Sequence, residues 1–531
     1  MKENPILLEV FKNRFSSISE EMGVTLNRTA FSPNIKERRD SSCAIFDRDG
    51  EMIAQAAHIP VHLGSMPMSV KSAIENVAME DGDMVILNDP FKGGTHLPDI
   101  TVVAPVFAGE RLPSFYVANR AHHADVGGMS SGSMPLSTTL FQEGIIIPPL
   151  KLVERGTIDR KMMSFLLNNV RTPREREGDF AAQIMGNITG IRRTRELIDK
   201  YSLKTVKFYA KRLMDYAERV TRKTISEIPE GTYSFEDFMD DDGFSNDKVK
   251  IHVSVTVQGD KAILDFRKSS PQVRGSINAV YAITLSAVLY VFRALVNRDI
   301  PTNDGVLRPI TVLTKKGTVV DACFPAAVAG GNVETSQRIV DVILGALAGA
   351  LPGRIPAASQ GTMNNVTIGG IDPRSDSPFA YYETIGGGMG ATGGGDGESA
   401  VHSHMTNTLN TPMEALEYSY PFLVTEYSIR RGTGGKGLYR GGDGIVREIC
   451  LQSDAEITVL SERRRLAPYG LHGGEPGGLG RNIIVRGGES MEKPGKFTTS
   501  LKKNDIVRIE TPGGGGYGSK EARRSGKERR A

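Results

Sequence analysis

The sequence predicts an α+β protein of several domains: a mixed α/β N-terminal region, a middle α+β domain and a glycine-rich, β-rich C-terminal region. Three observations lead there. At 531 residues the chain exceeds what one ordinary hydrophobic core supports. Helical periodicity and short alternating strands both occur before residue 353. Beyond it, much of the excess among the 59 glycines lies at 386–397, 432–444, 470–480 and 513–518, with strand-like runs between.

The elements follow in order. Leu7, Phe11, Phe15 and Ile18 recur at helical spacing, predicting an amphipathic helix from Pro5 to about Met22. Two apolar runs within 42–54 flank Asp47 to Gly50, a hairpin turning at Asp49-Gly50. A strand at Met84-Val85-Ile86-Leu87 stops at the turn signal Asn88-Asp89-Pro90. Residues 101–106 and 113–119 read as two more strands, joined through Ala108-Gly109-Glu110. Residues 201–228 predict a helix with Val206, Tyr209, Leu213, Tyr216 and Val220 on one face, ended by Pro229-Glu230-Gly231. A second hairpin, 248–258 and 261–266, turns at Gly259-Asp260. Residues 277–296 and 339–350 are apolar helices, the latter closed by Leu351-Pro352-Gly353, and 445–451 and 456–460 are strands. The expected units are therefore 1–228, 229–353 and 354–518, with a basic, disordered tail at 519–531. No fixed-period repeat occurs, which sets solenoids and propellers aside.

Charge and cysteine content exclude several functions. The net charge of +3 is dominated by residues 520–531, with six basic and two acidic side chains, so the remainder is close to neutral. That balance gives no basic face for nucleic acid. Cys43, Cys323 and Cys450 are far apart and form no C-x-x-C pair, which argues against a disulfide framework or a thiolate zinc site and fits a reducing compartment. The start of the chain lacks a long apolar signal core, and residues 277–296 carry Asn278, Thr284, Ser286 and Arg293, which suits a buried helix rather than a membrane span. A soluble, cytoplasmic protein is expected.

The chemistry concentrates in histidine clusters. In residues 88–99, Gly93 and Gly94 allow a bend that aims His96 outward, and Pro98 keeps His96 and Asp99 out of a helix interior. Imidazole and carboxylate suit zinc, manganese or iron. After the strand at 113–119 comes Arg120-Ala121-His122-His123-Ala124-Asp125. Adjacent histidines on an extended backbone point to opposite faces, so one of His122 and His123 joins a given metal and the other faces substrate or supports the ligands. Asp125 is free to ligate or to orient an imidazole. Glu37 to Ser42 is a charge run of the kind that ordinarily forms a solvated face, and Asp40 stands in it beside two arginines. His58 and His62 have zinc-helix spacing, but Pro60 intervenes and the H-E-x-x-H glutamate is missing, which excludes a metalloprotease. His252 and His472 read as structural; His402 and His404 follow a glycine loop suited to close backbone approach. The run Gly432-Thr433-Gly434-Gly435-Lys436-Gly437 is no phosphate loop, because Gly437 stands where the magnesium hydroxyl is needed.

Arg38 to Ala44, Asn88 to Asp99 and Arg120 to Gly128 together resemble the hydantoinase B family. That family includes the B subunits of N-methylhydantoinase, 5-oxoprolinase-type and caprolactamase enzymes and the alpha subunit of acetone carboxylase. The likeness continues through Gly330 to Arg338 and the glycine loops to Gly518, and the chain length suits a stand-alone B subunit. The resemblance implies a metal-bearing subunit of an ATP-dependent cyclic amidase in a hetero-oligomer. Its partner would be a hydantoinase A-type actin-like ATPase, which holds ATP and Mg and phosphorylates the substrate carbonyl oxygen. It implies a divalent transition metal (zinc, manganese or iron) on Asp40, His96, Asp99 and His122, with His123 and Asp125 either supporting the ligands or acting as acid–base residues. The choice among Asp40, Asp99 and Asp125 stays open. Phosphorylation removes the amide resonance that protects a lactam, and a metal lowers the pKa of its water towards about 7. A ketone carboxylase of the acetone or acetophenone type is the alternative. A non-catalytic scaffold has no need of Asp40, His96, Asp99 and His122 together.

Overall fold

The computed structural model describes residues 3–56 and 59–520; His58 and the predicted tail beyond residue 520 lie outside them. The first hairpin forms as expected. Strands β1 (Ser41–Asp47) and β2 (Met52–Gln55) pair antiparallel, and Gly50 takes φ 76° in the turn. With β3 (Met84–Leu87), β4 (Asp99–Val106), β5 (Phe115–His122), β6 (Leu150–Glu154) and β7 (Thr157–Ile158) they make an antiparallel sheet ordered β2-β1-β5-β4-β3-β6-β7. Every residue of β4 and β5 is buried, because helices cover both faces of the sheet.

Helix α1 (Pro5–Thr29) is capped by Asn4, whose side chain accepts from the Ile6 and Leu7 amides. It sends Phe11, Phe15 and Met22 into the core shared with Cys43, Ile45, Val102 and Val117. The short α2 (Pro33–Lys36) precedes β1, and α3 (Met66–Asn76) packs Met66, Val70 and Ala73 on the opposite face against Ala44, Phe46, Val85 and Val103. The period-two alternation of strand side chains separates these two apolar sets.

After α4 (Arg160–Leu167) come α5 (Pro173–Tyr201) and α6 (Leu203–Ser226), divided at Ser202 with φ 70°. The helix expected at 201–228 is α6. The 29-residue α5 before it gives no periodicity signal, because its buried face carries Gln183, Gly186, Asn187, Gly190 and Thr194 rather than an apolar stripe. Gly190 lets α5 lie directly on α1: a Cβ there would meet Met22 Sδ at 2.5 Å.

The second hairpin is β9 (Val249–Gln258) and β10 (Lys261–Asp265), placed between β8 (Gly231–Met239) and β11 (Ile310–Leu313) in the order β11-β10-β9-β8. The apolar helices are α7 (Tyr281–Leu295) and α8 (Ser336–Leu347), the latter preceded by one π-helical turn, Gly331–Thr335. No helix among the described residues is long and apolar enough to cross a membrane.

The last third holds β12 (Asn365–Asp372), β13 (Ser377–Glu383), helix α9 (Met413–Ser419), β14 (Phe422–Arg430), β15 (Gly444–Leu451), β16 (Ala455–Leu460), β17 (Arg481–Arg486), β18 (Glu489–Lys493), β19 (Lys496–Leu501) and β20 (Ile506–Glu510). They form two sheets, β13-β12-β16-β19 and β14-β15-β20-β17-β18, around a core that includes Val366, Tyr381, Ile457 and Ile509. The glycine segments pack backbone against backbone: the Gly442 amide donates to Met389 O at 2.8 Å and the Gly514 amide to Gly442 O at 2.9 Å. A Cβ on Gly388 would lie 2.0 Å from Gly442 O, so a side chain there has no room. The mixed α/β architecture matches the predicted fold class.

Candidate metal centre

Strand register brings the site together. Asp99 opens β4 directly opposite His122, which ends β5. On the other side of β5, the Asp40 carbonyl accepts from the His122 amide at 3.0 Å, just before β1 begins. His96 arrives on the loop between β3 and β4. Gly93 turns that loop at φ 92°, and the Asn88 side chain fixes it by donating to Leu97 O at 2.8 Å and accepting from the Ile147 amide at 2.7 Å.

Three ligand-type atoms form a buried triangle. Asp99 Oδ1 lies 3.1 Å from His96 Nε2 and 3.1 Å from His122 Nδ1, and the two nitrogens are 3.2 Å apart. Among the described residues, this is the one group of three metal-type side chains whose donor atoms fall within 4.8 Å of one another. A divalent ion with bonds of about 2.0–2.2 Å to three donors near right angles needs spacings of about 3 Å. His96 Nδ1 donates to Ala329 O at 3.3 Å, which leaves the Nε2 lone pair for the triangle. The donor set therefore fits a divalent metal.

The surroundings hold the triangle in place. Asp99 Oδ2 accepts from Thr95 Oγ1 at 2.6 Å and lies 3.3 Å from His62 Nε2, whose Nδ1 is 2.8 Å from Ser42 Oγ. Asn332, on the π-helical turn, places Nδ2 3.0 Å from His96 Nε2. The His122 ring stacks on Tyr382 at 4.4 Å, and its Nε2 has no hydrogen-bond partner among the described residues. Burial opposes the Asp99 charge, but His96, His62 and the hydrogen bond from His122 win and hold its carboxyl well below the usual range. Burial pushes the His122 and His62 pKa values down despite Asp99. The site thus pairs a carboxylate with His122 and His62 rings that burial favours in the neutral form, as metal ligation requires of a ligating imidazole.

The residues singled out from the sequence do not all meet. His96, Asp99 and His122 converge. Asp40 lines the same cavity of about 20 Å³, with His62, Asn332, Tyr382 and Thr384, although its carboxylate stands outside the triangle. Burial raises its pKa, against the pull of His122 and Arg38. The charge run around it is not a solvated face: Arg38 is fully buried, donating to Asn34 Oδ1, Tyr382 O and Thr384 Oγ1.

His123 points away from His122, as alternation requires; its Nε2 meets Gln183 Oε1 at 2.9 Å and its ring lies on Phe180. Asp125 accepts from the Arg171 amide at 2.6 Å and from Arg171 Nη1 at 2.8 Å. Neither of these two, given by the resemblance as supporting or acid–base residues, is brought to the triangle. His404 lies elsewhere too, 3.2 Å from Asp341. Two close neighbours carry no assignment in the sequence. His62 belongs to the excluded zinc-helix spacing, and it sits on a 3-10 turn, Pro60–His62. Asn332 lies far from His96 along the chain, and only the fold joins them.

His123 gives an acid-stability prediction. Burial and the nearby Arg176 lower its pKa from 6.5 to about 4. The folded state keeps it neutral while the unfolded chain takes up a proton below about pH 6.5, so its stabilising contribution is complete above 6.5 and fades as pH falls towards 4. His123→Gln is expected to flatten the fall in melting temperature between pH 6.5 and pH 4; an unchanged pH profile would reject this origin.

Comparison with known proteins agrees with the motif reading. The chain matches the family described as hydantoinase B/oxoprolinase over residues 4–520. It is 42% identical to an uncharacterised protein of Methanocaldococcus jannaschii over 97% of this chain and 90% of that one. It is 41% identical to the 5-oxoprolinase of Dictyostelium discoideum over 98% of this chain, but spans only 41% of that longer protein. A putative D-/L-hydantoinase component from a Pseudomonas species is 30% identical, with 98% of this chain and 90% of that one covered. Among solved structures, the ATP-dependent caprolactamase of Pseudomonas jessenii superposes with a TM-score of 0.90 at 28% identity, covering 98% of this chain and 92% of that one. Acetone carboxylase shares the fold, with a TM-score of 0.90 at 20% identity over 97% of this chain and 76% of that one. The chain belongs to the hydantoinase B/oxoprolinase family.

Proposed function

We propose that the chain is the metal-bearing B subunit of an ATP-dependent cyclic amidase of the hydantoinase, N-methylhydantoinase or 5-oxoprolinase type. It works in the cytoplasm with a hydantoinase A-type actin-like ATPase, which holds ATP and Mg and phosphorylates the lactam carbonyl. The observation that carries the reading is the buried triangle of His96, Asp99 and His122 in a chain of this family.

Those three side chains, with Asp40 beside them, would hold zinc, manganese or iron. When bound, such an ion supplies Lewis acidity and activates water at neutral pH. The rest is the work of the chain itself. His62 and Thr95 fix Asp99 through its second oxygen. The Tyr382 ring fixes the plane of His122. Asp40 faces the cavity with a carboxyl that burial shifts towards its protonated form, so it either completes the ligand set when ionised or holds a proton for the leaving nitrogen. His123 and Asp125 act as supports, through Gln183 and Arg171. A cavity of about 20 Å³ takes a water but not a lactam ring, so substrate enters only after its walls, including Met363, Tyr382 and Met405, move.

The test is reconstitution with the A-type ATPase, ATP and Mg on a panel of hydantoin, N-methylhydantoin, 5-oxoproline and caprolactam. Ring opening coupled to ATP hydrolysis is expected, without any need for bicarbonate. A metal-loaded, active ATPase pair that opens none of these rings would remove the amidase reading. Bicarbonate-dependent turnover of a ketone would establish the carboxylase alternative.

A further inference from the structure

Glu143 is fully buried just after the 3-10 turn Leu140–Gln142, and its hydrogen bonds go to residues other than the triangle of ligands. One of its oxygens, Oε1, accepts three hydrogen bonds: from Ser137 Oγ at 2.7 Å, the Val328 amide at 2.9 Å and the Ala329 amide at 3.0 Å. The carbonyl of that same Ala329 accepts from His96 Nδ1 at 3.3 Å. A single carboxylate oxygen therefore grips the backbone whose next carbonyl faces the imidazole.

We propose that Glu143 is a positioning residue for His96. By holding the amides of Val328 and Ala329, it aims the Ala329 carbonyl at His96 Nδ1 and keeps the proton there. The Nε2 lone pair then points into the triangle. A neutral imidazole carries its proton on either nitrogen, and the hydrogen bond made by one nitrogen selects the state of the other. The segment is braced on both sides of Glu143's grip: Asn278 Nδ2 donates to Ala327 O at 3.0 Å, and the Gly331 amide to Val328 O at 3.0 Å. Glu143 supplies the amide-side contact to the Val328–Ala329 peptide, the unit immediately before the Ala329 carbonyl. A purely structural loop staple would change stability without changing the His96 tautomer.

The metal arm of this inference rests on the reading of His96 as a ligand; the tautomer arm does not. The experiment uses the full chain labelled with 15N-histidine, with the His96 signals identified by their loss in His96→Gln. Two-bond proton–nitrogen correlations report the tautomer of the metal-free protein, and calorimetry with Zn²⁺ reports affinity. The wild type is expected to show His96 protonated on Nδ1. Glu143→Gln, which keeps the accepting oxygen, is expected to preserve that state with affinity within about threefold, well inside the about 10–100-fold loss typical when a ligand's supporting partner is removed. Glu143→Ala is expected to lose the Nδ1–H signature and to bind Zn²⁺ about 10–100-fold more weakly. A folded Glu143→Ala that keeps both the tautomer and the wild-type affinity would overturn the proposal. If that variant does not fold, Glu143→Asp decides, since its shortened side chain withdraws the oxygen from the amides; an unchanged tautomer there also overturns it. A wild type that takes up no Zn²⁺, yet whose His96 tautomer follows Glu143, would sink the metal reading and leave the positioning role standing.

Discussion

Asp99→Asn is expected to remove ring-opening activity from the reconstituted pair while leaving the chain folded. Asp99 Oδ1 is the shared vertex of the triangle, 3.1 Å from each imidazole, and it contributes the anionic donor. Asparagine retains the shape and one carbonyl oxygen for Thr95 but carries no charge, so the two imidazoles lose their anionic companion. The loss in metal affinity should exceed the roughly 10–100-fold typical of partners one step removed from a ligand. Activity should fall at least as far. Metal content by mass spectrometry, turnover on the lactam panel and a thermal melt together check it. A metal-free but folded variant is the expected result; wild-type turnover would refute the role assigned to Asp99.

Gly93→Ala is the second large effect, and it acts through backbone geometry. Gly93 stands at φ 92°, and a Cβ there would lie 2.5 Å from the Met68 carbonyl carbon and 2.6 Å from its oxygen. The left-handed conformation costs a side chain about 1–2 kcal/mol. Overpacking against backbone adds about 1–3 kcal/mol, so a destabilisation of about 2–5 kcal/mol is expected, together with displacement of the loop that carries His96. Gly109→Ala is the control, because φ is 77° there but nothing lies within 4 Å. It should cost only the conformational part, about 1–2 kcal/mol. Denaturant unfolding of the two variants separates the terms; equal losses would show that the contact with Met68 contributes nothing.

What the sequence reveals about this site follows from how each residue reaches it. Asp99 and His122 sit at strand ends beside recognisable turn signals, and antiparallel pairing of neighbouring strands makes such ends meet. His96 is legible for a related reason, since the glycine and proline signals around it mark a loop. The alternation argument also separates His122 from His123 correctly in direction, but it does not say which polar group receives His123, and Gln183 on α5 does so. That helix is itself invisible to hydrophobic periodicity, because it packs through glycine and amide side chains. His62, Asn332 and Glu143 carry no local signal that assigns them these roles. Their roles arise from contacts across 37, 236 and 185 residues of sequence, respectively, and only the folded backbone creates them. Arg38 departs from expectation for the complementary reason: a charged run looks solvated until the β12–β13 sheet supplies buried acceptors such as the Tyr382 carbonyl.

The central claim is that His96, Asp99 and His122 hold a divalent metal that the reaction needs. Anomalous diffraction at the metal edge, on crystals of the metal-loaded chain that turns over lactam with its partner, tests it most directly. The expected result is one peak bounded by His96 Nε2, Asp99 Oδ1 and His122 Nδ1, on the side facing Asp40. An active protein with no peak there, or with its metal elsewhere, such as beside His404 and Asp341, would contradict the account.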